Sequence, residues 1–325
     1  MLIFFRDKSI TAIFFLVALC LAVHVHFFMA MPKVVISDDD GIFSIILGKY
    51  FTQLSGTFLF IIYFLVLLLQ AIRFNLVLNE LRMYHQSAFI TAMVYVLISG
   101  MMPQWCAITP AFMVTPLITW IFLSLCRLYN NPSPKTLLFN TGLIVGLTIL
   151  CYHPTAILVL VVLFALAVVR PFRITEWLVL LIGIIAPYYF LLSYFYMTDQ
   201  MHLLQRFLPE MRLNLPIEQP GLWGWISISA IGLLLLVSFY YWLPNSNRMV
   251  IQIRKNWSVM IVMLLIMLPI PFIFKNAGLE SAMVLAVPLA AFISNVFLSA
   301  RRMFLPNLLL IIVIVIIIHT NWVLV

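Results

Sequence analysis

The run Leu308-Leu309-Leu310-Ile311-Ile312-Val313-Ile314-Val315-Ile316-Ile317-Ile318 carries no polar side chain, and stretches like it recur along the whole chain. A helix that crosses a bilayer needs about 20 mostly apolar residues. On that template the sequence predicts eleven helices, near residues 10–30, 56–76, 87–101, 108–126, 136–152, 155–169, 176–197, 222–243, 257–274, 281–299 and 304–323. The stretch from Ile10 to Met29 is longer than a signal-peptide core of about 7–15 residues, so it reads as the first span.

Composition agrees. Of 325 residues, 65% are hydrophobic and 9% charged, where a soluble domain carries about 25% charge. No soluble fold of this size can cover so much apolar surface. A soluble enzyme, a nucleic-acid-binding domain and a disordered regulator are therefore excluded, despite a net charge of +8. The expected fold class is an all-α polytopic membrane protein. It forms a single transmembrane helical domain over residues 1–325, with the lipid bilayer as its surroundings.

Basic residues sort the connections into two sides. With a cytoplasmic N-terminus, Arg6, Lys8, Arg73, Arg82, Arg127, Lys135, Arg170, Arg173, Arg248, Arg254, Lys255, Arg301 and Arg302 fall inside, which is 13 of 18. Lys33, Lys49, Arg206, Arg212 and Lys275 fall outside, as does the C-terminus. This obeys the positive-inside rule along the whole chain, and it predicts a multi-pass protein of a cell inner membrane. Most acids run the other way: Asp38, Asp39, Asp40, Asp199, Glu210, Glu218 and Glu280 lie outside.

The predicted spans hold no charged residue near mid-depth, where such groups mark ion or proton pathways. Gly142 and Gly146 form a GxxxG pair suited to close helix packing. The cysteines Cys20, Cys106, Cys126 and Cys151 have no metal or dithiol spacing and read as packing residues. His24 and His26, two residues apart, do not share a helix face, so a membrane iron site is not indicated.

Two outer loops, about 31–55 and 198–221, hold the candidate chemistry. Asp38, Asp39 and Asp40 precede a short apolar stretch, 42–51, that suits an interfacial helix. Ser37 or Asp38 would cap that helix. Alternatively, one of the three carboxylates would serve as a general base or metal ligand. In the second loop, a helix from Gln200 to Arg212 would put His202, Arg206 and Glu210 on one face. Arg206 and Arg212 suit a lipid phosphate. His153, at the corner Cys151-Tyr152-His153-Pro154, joins His202 as a candidate binding residue.

The acidic first loop, the short helix behind it, the multi-helix body and the outer arginines resemble the GT-C class of membrane glycosyltransferases. That resemblance implies transfer of a sugar from a polyprenyl-phosphate carrier to an outer-face acceptor. Asp38, Asp39 or Asp40 would act as catalytic base or hold a divalent metal ion, and Arg206 or Arg212 would hold the carrier phosphate. From Lys135 to Asp199 the chain also resembles an uncharacterised integral-membrane family of Bacteroidota, sometimes labelled carotenoid-cleaving oxygenases. The residues that carry this are Asn140-Thr141-Gly142, His153-Pro154, Arg170-Pro171-Phe172-Arg173, Glu176-Trp177, Gly183, Pro187-Tyr188 and Thr198-Asp199. Three functions fit the sequence: a GT-C-like transferase, a non-catalytic subunit with membrane protein partners in an envelope or secretion complex, and a lipid or small-molecule transporter.

Overall fold

The computed structural model describes residues 2–6, 10–37, 40–211, 221–246, 248–274, 277–299 and 304–322. Of the charged residues discussed above, Lys8, Asp38, Asp39, Arg212, Glu218, Lys275, Arg301 and Arg302 lie outside these ranges. Fourteen α-helices run through the described residues. They are α1 (Leu2–Arg6), α2 (Ile10–Val23), α3 (Ile42–Ile46), α4 (Gly56–Glu80), α5 (Ile90–Ser99), α6 (Pro110–Cys126), α7 (Pro134–Cys151), α8 (Leu158–Val169), α9 (Ile174–Met197), α10 (Leu222–Ser246), α11 (Ile251–Met267), α12 (Ile270–Ile273), α13 (Ala286–Ser299) and α14 (Phe304–Trp322).

Helix stands in each of the eleven expected stretches. Seven segments are long and apolar enough to cross a membrane: α4, α7, α9, α10, Ile251–Ile273, Leu279–Ser299 and α14. The chain is thus a multi-pass membrane protein. The first, third, fourth and sixth expected stretches are shorter, at Thr11–Val23, Ile90–Ser99, Pro110–Cys126 and His153–Val169. The 10 residues of α5 reach about 15 Å, half the thickness of a hydrocarbon core of about 30 Å. Every one of them is buried, so α5 packs against protein and never meets lipid.

Burial sorts the helices into a core and a ring. The segment Leu279–Ser299 is 94% buried over its most apolar window and stands with α5 at the centre. The same measure is 28% for α9 and 22% for α10. These outer helices expose Phe190, Ile185, Leu236 and Tyr240, large apolar groups that only lipid can cover.

Local chemistry sets the helix ends. Thr109 caps α6, its hydroxyl accepting from the Phe112 N–H at 3.0 Å, with Pro110 at the first helical position. Pro154 keeps α7 from running on, and the chain restarts as a tight 3-10 turn, His153–Ile157, before α8. The glycine pair acts within the bundle. A Cβ on Gly142 would strike Leu180 O, and one on Gly146 would strike Ile184 O. Gly183 answers from α9, where a Cβ would strike Phe139 O. Backbone therefore lies on backbone where α7 crosses α9.

Alternate connections gather at opposite ends of the bundle. At one end Arg127 pairs with Glu80, and Arg170 binds the Leu128 and Asn131 carbonyls. Lys255 donates to Val169 O, and Arg6 donates to Phe297 O. The other end holds the 31–55 loop, the Pro103–Trp105 turn, the His153 corner and the close of α14. There Asn321 donates to Gly100 O, and the His319 and Trp223 rings stack at 3.5 Å.

Candidate functional site

The 31–55 loop is pinned at two points. Val34 and Ile108 form a parallel bridge, with Val35 N–H donating to Ile108 O and Ile108 N–H to Lys33 O. Further on, the His153 N–H donates to Asp40 O at 3.0 Å. Gly41 then crosses the end of α7 so closely that a Cβ would lie 2.7 Å from Leu150 O and 2.8 Å from Cys151 O.

Gly41 also corrects the expected cap. It takes φ +113° and itself occupies the N-cap of α3, the place expected for Ser37 or Asp38; Asp38 lies outside the described residues. The steric reason lies in the close approach to α7, which leaves room only for a glycine in the left-handed region. Ser37 contributes its carbonyl instead, accepting from the Ser44 hydroxyl at 3.0 Å. The short apolar helix is present as α3 and a π-helical turn, Leu47–Phe51.

The loop brings Asp40 and His153 together, two candidate residues from distant parts of the chain. Asp40 is 8% exposed, His153 4% and Tyr152 2%. Glu280 approaches the same corner on the 3-10 turn Leu279–Leu285, and it accepts the Gly278 N–H at 3.2 Å. The Trp105 indole ties this turn to the bundle by donating to Leu279 O at 3.0 Å. Burial first, and then the charges of Asp40 and Glu280, push the Tyr152 phenol well above its ordinary range. Tyr152 therefore stays neutral and can only donate or accept a hydrogen bond there.

Tyr152, Glu280 and Trp105 were not among the sequence candidates. Tyr152 had a signal, since it lies inside the Cys151–Pro154 corner. Glu280 had one too, as the only acid after Glu218. Trp105 had none, because its role is a contact with a residue 174 positions away.

The 198–221 loop differs from its expectation. Instead of an α-helix from Gln200 to Arg212, Met201–Phe207 form a 3-10 turn and Glu210 lies beyond it. At three residues per turn, the i, i+4, i+8 spacing no longer defines one face. His202, Arg206 and Glu210 are exposed. The turn packs on α9 through Phe207 and Phe195, ring centroids 5.5 Å apart. Met211 bridges Phe274 just after α12, and α12 packs on the His153–Ile157 turn. The described parts of the two loops therefore dock on neighbouring elements at one end of the bundle.

His24 is committed to hydrogen bonds within the bundle. His24 Nδ1–H donates to Cys20 O at 3.0 Å, which leaves Nε2 to accept from the Tyr63 hydroxyl at 3.2 Å. Among the described residues, no three His, Cys, Asp or Glu side chains converge as metal ligands; Asp38 and Asp39 lie outside those residues.

A family model described as a family of unknown function, DUF6427, matches residues 39–323. The chain belongs to DUF6427. The match covers nearly the whole chain, well beyond the stretch 135–199, and it includes Asp40, Tyr152, His153 and Glu280. No curated protein matches this DUF6427 chain.

Proposed function

We propose that this DUF6427 protein is a membrane transferase of GT-C-like character, using a polyprenyl-phosphate-linked sugar at the end of the bundle that holds Asp40. Asp40 is the general base. Its carboxylate takes the proton of the acceptor hydroxyl as the acceptor oxygen bonds to the anomeric carbon. The bond from that carbon to the carrier phosphate breaks, and polyprenyl phosphate leaves. Arg206, on the loop that docks beside the corner, meets the phosphate charge. Tyr152 and His153 hold the Asp40 segment, and this end faces outward from an inner membrane.

One observation carries the proposal. Asp40 is a nearly buried residue of the 31–55 loop, fixed by the backbone of His153. A base works best when held still within reach of the proton it takes.

The test is deletion of the gene, then restoration with wild type or Asp40→Asn at equal membrane level, with lipid-linked sugars read by mass spectrometry. The donor lipid should accumulate in the deletion and be cleared only by wild type. If Asp40→Asn clears it fully, or no lipid-linked sugar changes, the transferase reading fails. The second reading, a non-catalytic subunit, is favoured by the same backbone docking. It requires Asp40→Asn to complement while partner chains co-purify.

A further inference from the structure

At the end of the bundle opposite Asp40, a cavity of about 220 Å³ lies between the 81–89 connection and the ends of α10 and α13. Burial gives it a floor and a mouth. Among the residues that line it, Met83 and Asn295 are buried, Tyr84 and Trp242 half-buried, and His85 and Gln86 exposed. At about 30 Å³ per water it has room for about seven waters, more than a structural water site needs. Drug-sized ligands take about 300–1,000 Å³, so the cavity suits one small ring system.

An acceptor stands in the floor. Asn295 is 4% exposed and gives its amide N–H to Phe292 O at 3.1 Å. Its Oδ1 accepts no hydrogen bond among the described residues, yet it is not sealed in protein as the Trp242 Nε1 is. A nearly buried residue that lines the cavity can expose that oxygen only there. A buried acceptor left alone costs stability, so the position calls for a donor.

The walls add aromatic surface. The Tyr84 hydroxyl is already given to Ala291 O at 2.7 Å, and the Trp242 N–H is buried away from the cavity. What these two side chains can offer an occupant is therefore apolar ring surface. One acceptor beside ring surfaces specifies a flat ring that carries a hydrogen-bond donor. A carboxamide reads the amine edge of adenine through the same oxygen, and aromatic side chains stack on nucleobases.

We propose that the cavity binds an aminopurine base. Its exocyclic N–H donates to Asn295 Oδ1, and its ring lies against Tyr84 and Trp242. This site is independent of the Asp40 corner and does not rest on the transferase reading.

The full chain in detergent is tested with radiolabelled adenine by equilibrium binding, and by melting midpoint with adenine, toluene or phenol. Toluene is a ring with no donor, and phenol is a ring with an O–H. Wild type should bind one adenine and be stabilised by it, and by neither of the others. Asn295→Leu removes the acceptor at similar volume and should weaken adenine about tenfold. Ser299→Phe fills the cavity from its half-buried wall and should abolish binding, which keeps the test decisive if Asn295→Leu folds poorly. No adenine bound by wild type, or equal binding by wild type and Ser299→Phe, overturns the site. Equal stabilisation by toluene, or full adenine affinity in folded Asn295→Leu, overturns the hydrogen bond to Asn295. Equal stabilisation by phenol overturns the choice of a purine.

Discussion

The peptide N–H of His153 donates to the carbonyl of Asp40 at 3.0 Å, joining the 31–55 loop to a helix corner 113 residues further along the chain. The next residue, Gly41, makes that contact feasible by taking φ +113° against the end of α7. Gly41→Ala must either leave that conformation or push Leu150 O and Cys151 O away. Strain of this kind costs about 1–3 kcal/mol. The expected outcome is a lower melting midpoint in detergent, with faster proteolysis between residues 31 and 41. Unchanged proteolysis would mean that the loop is held by the Val34–Ile108 bridge alone.

The Asp40 corner was only half legible in the sequence, for physical reasons. Pro154 announces a break in helix whatever surrounds it, and Gly142 with Gly146 announces close packing, because both effects are local. The glycine cap was missed because Asp and Ser are the stronger N-cap residues in isolation. Only contact with α7 makes Gly41 the residue that fits. The turn Met201–Phe207 was read as α-helix because charge spacing was the one signal present there. Hydropathy identified α5 as apolar, but it could not tell a helix buried in protein from one that meets lipid.

The ion pairs at the basic end should differ sharply in worth. Arg170 and Glu176 are nearly buried, with side chains 11% and 4% exposed, and they meet at 2.9 Å. Arg170 also holds two carbonyls of the 128–131 connection. Glu176→Ala leaves that guanidinium without its carboxylate, and breaking a buried pair costs about 3–5 kcal/mol. Arg127 and Glu80 are 55% and 48% exposed, so Arg127→Ala should cost under about 1 kcal/mol. Paired melting curves of the two variants check the contrast. Equal losses would show that Arg170 and Glu176 are wetter than their burial implies.

The glycines give a second contrast. Gly142→Ala and Gly146→Ala each place a methyl group against a carbonyl of α9, and α9 must retreat. Overpacking of this kind costs about 1–3 kcal/mol. Gly232 also lies inside a helix, α10, but nothing stands within 4 Å of the Cβ it would carry. Gly232→Ala should be neutral or stabilise by up to about 1 kcal/mol, through helix propensity. Thermal midpoints of the three variants in one detergent test this directly. Equal tolerance at all three positions would mean that α7 and α9 separate without cost.

Tyr63 holds His24 in one tautomer. His24 Nδ1–H is given to Cys20 O, so Nε2 can only accept, and the Tyr63 hydroxyl lies 3.2 Å both from it and from Trp105 O. One hydrogen thus serves two acceptors between α4 and the Trp105 turn. Tyr63→Phe keeps the ring, which stacks on Phe112 with centroids 4.9 Å apart, and removes that hydrogen. An unsatisfied buried acceptor costs about 1–3 kcal/mol, and the loss should fall at the lower end because the aromatic packing survives. His24→Phe in the same background should then add less than it does alone, because the shared bond is already gone. A double-mutant cycle read by melting midpoint measures that coupling, and strict additivity would show that Tyr63 serves Trp105 O and not His24.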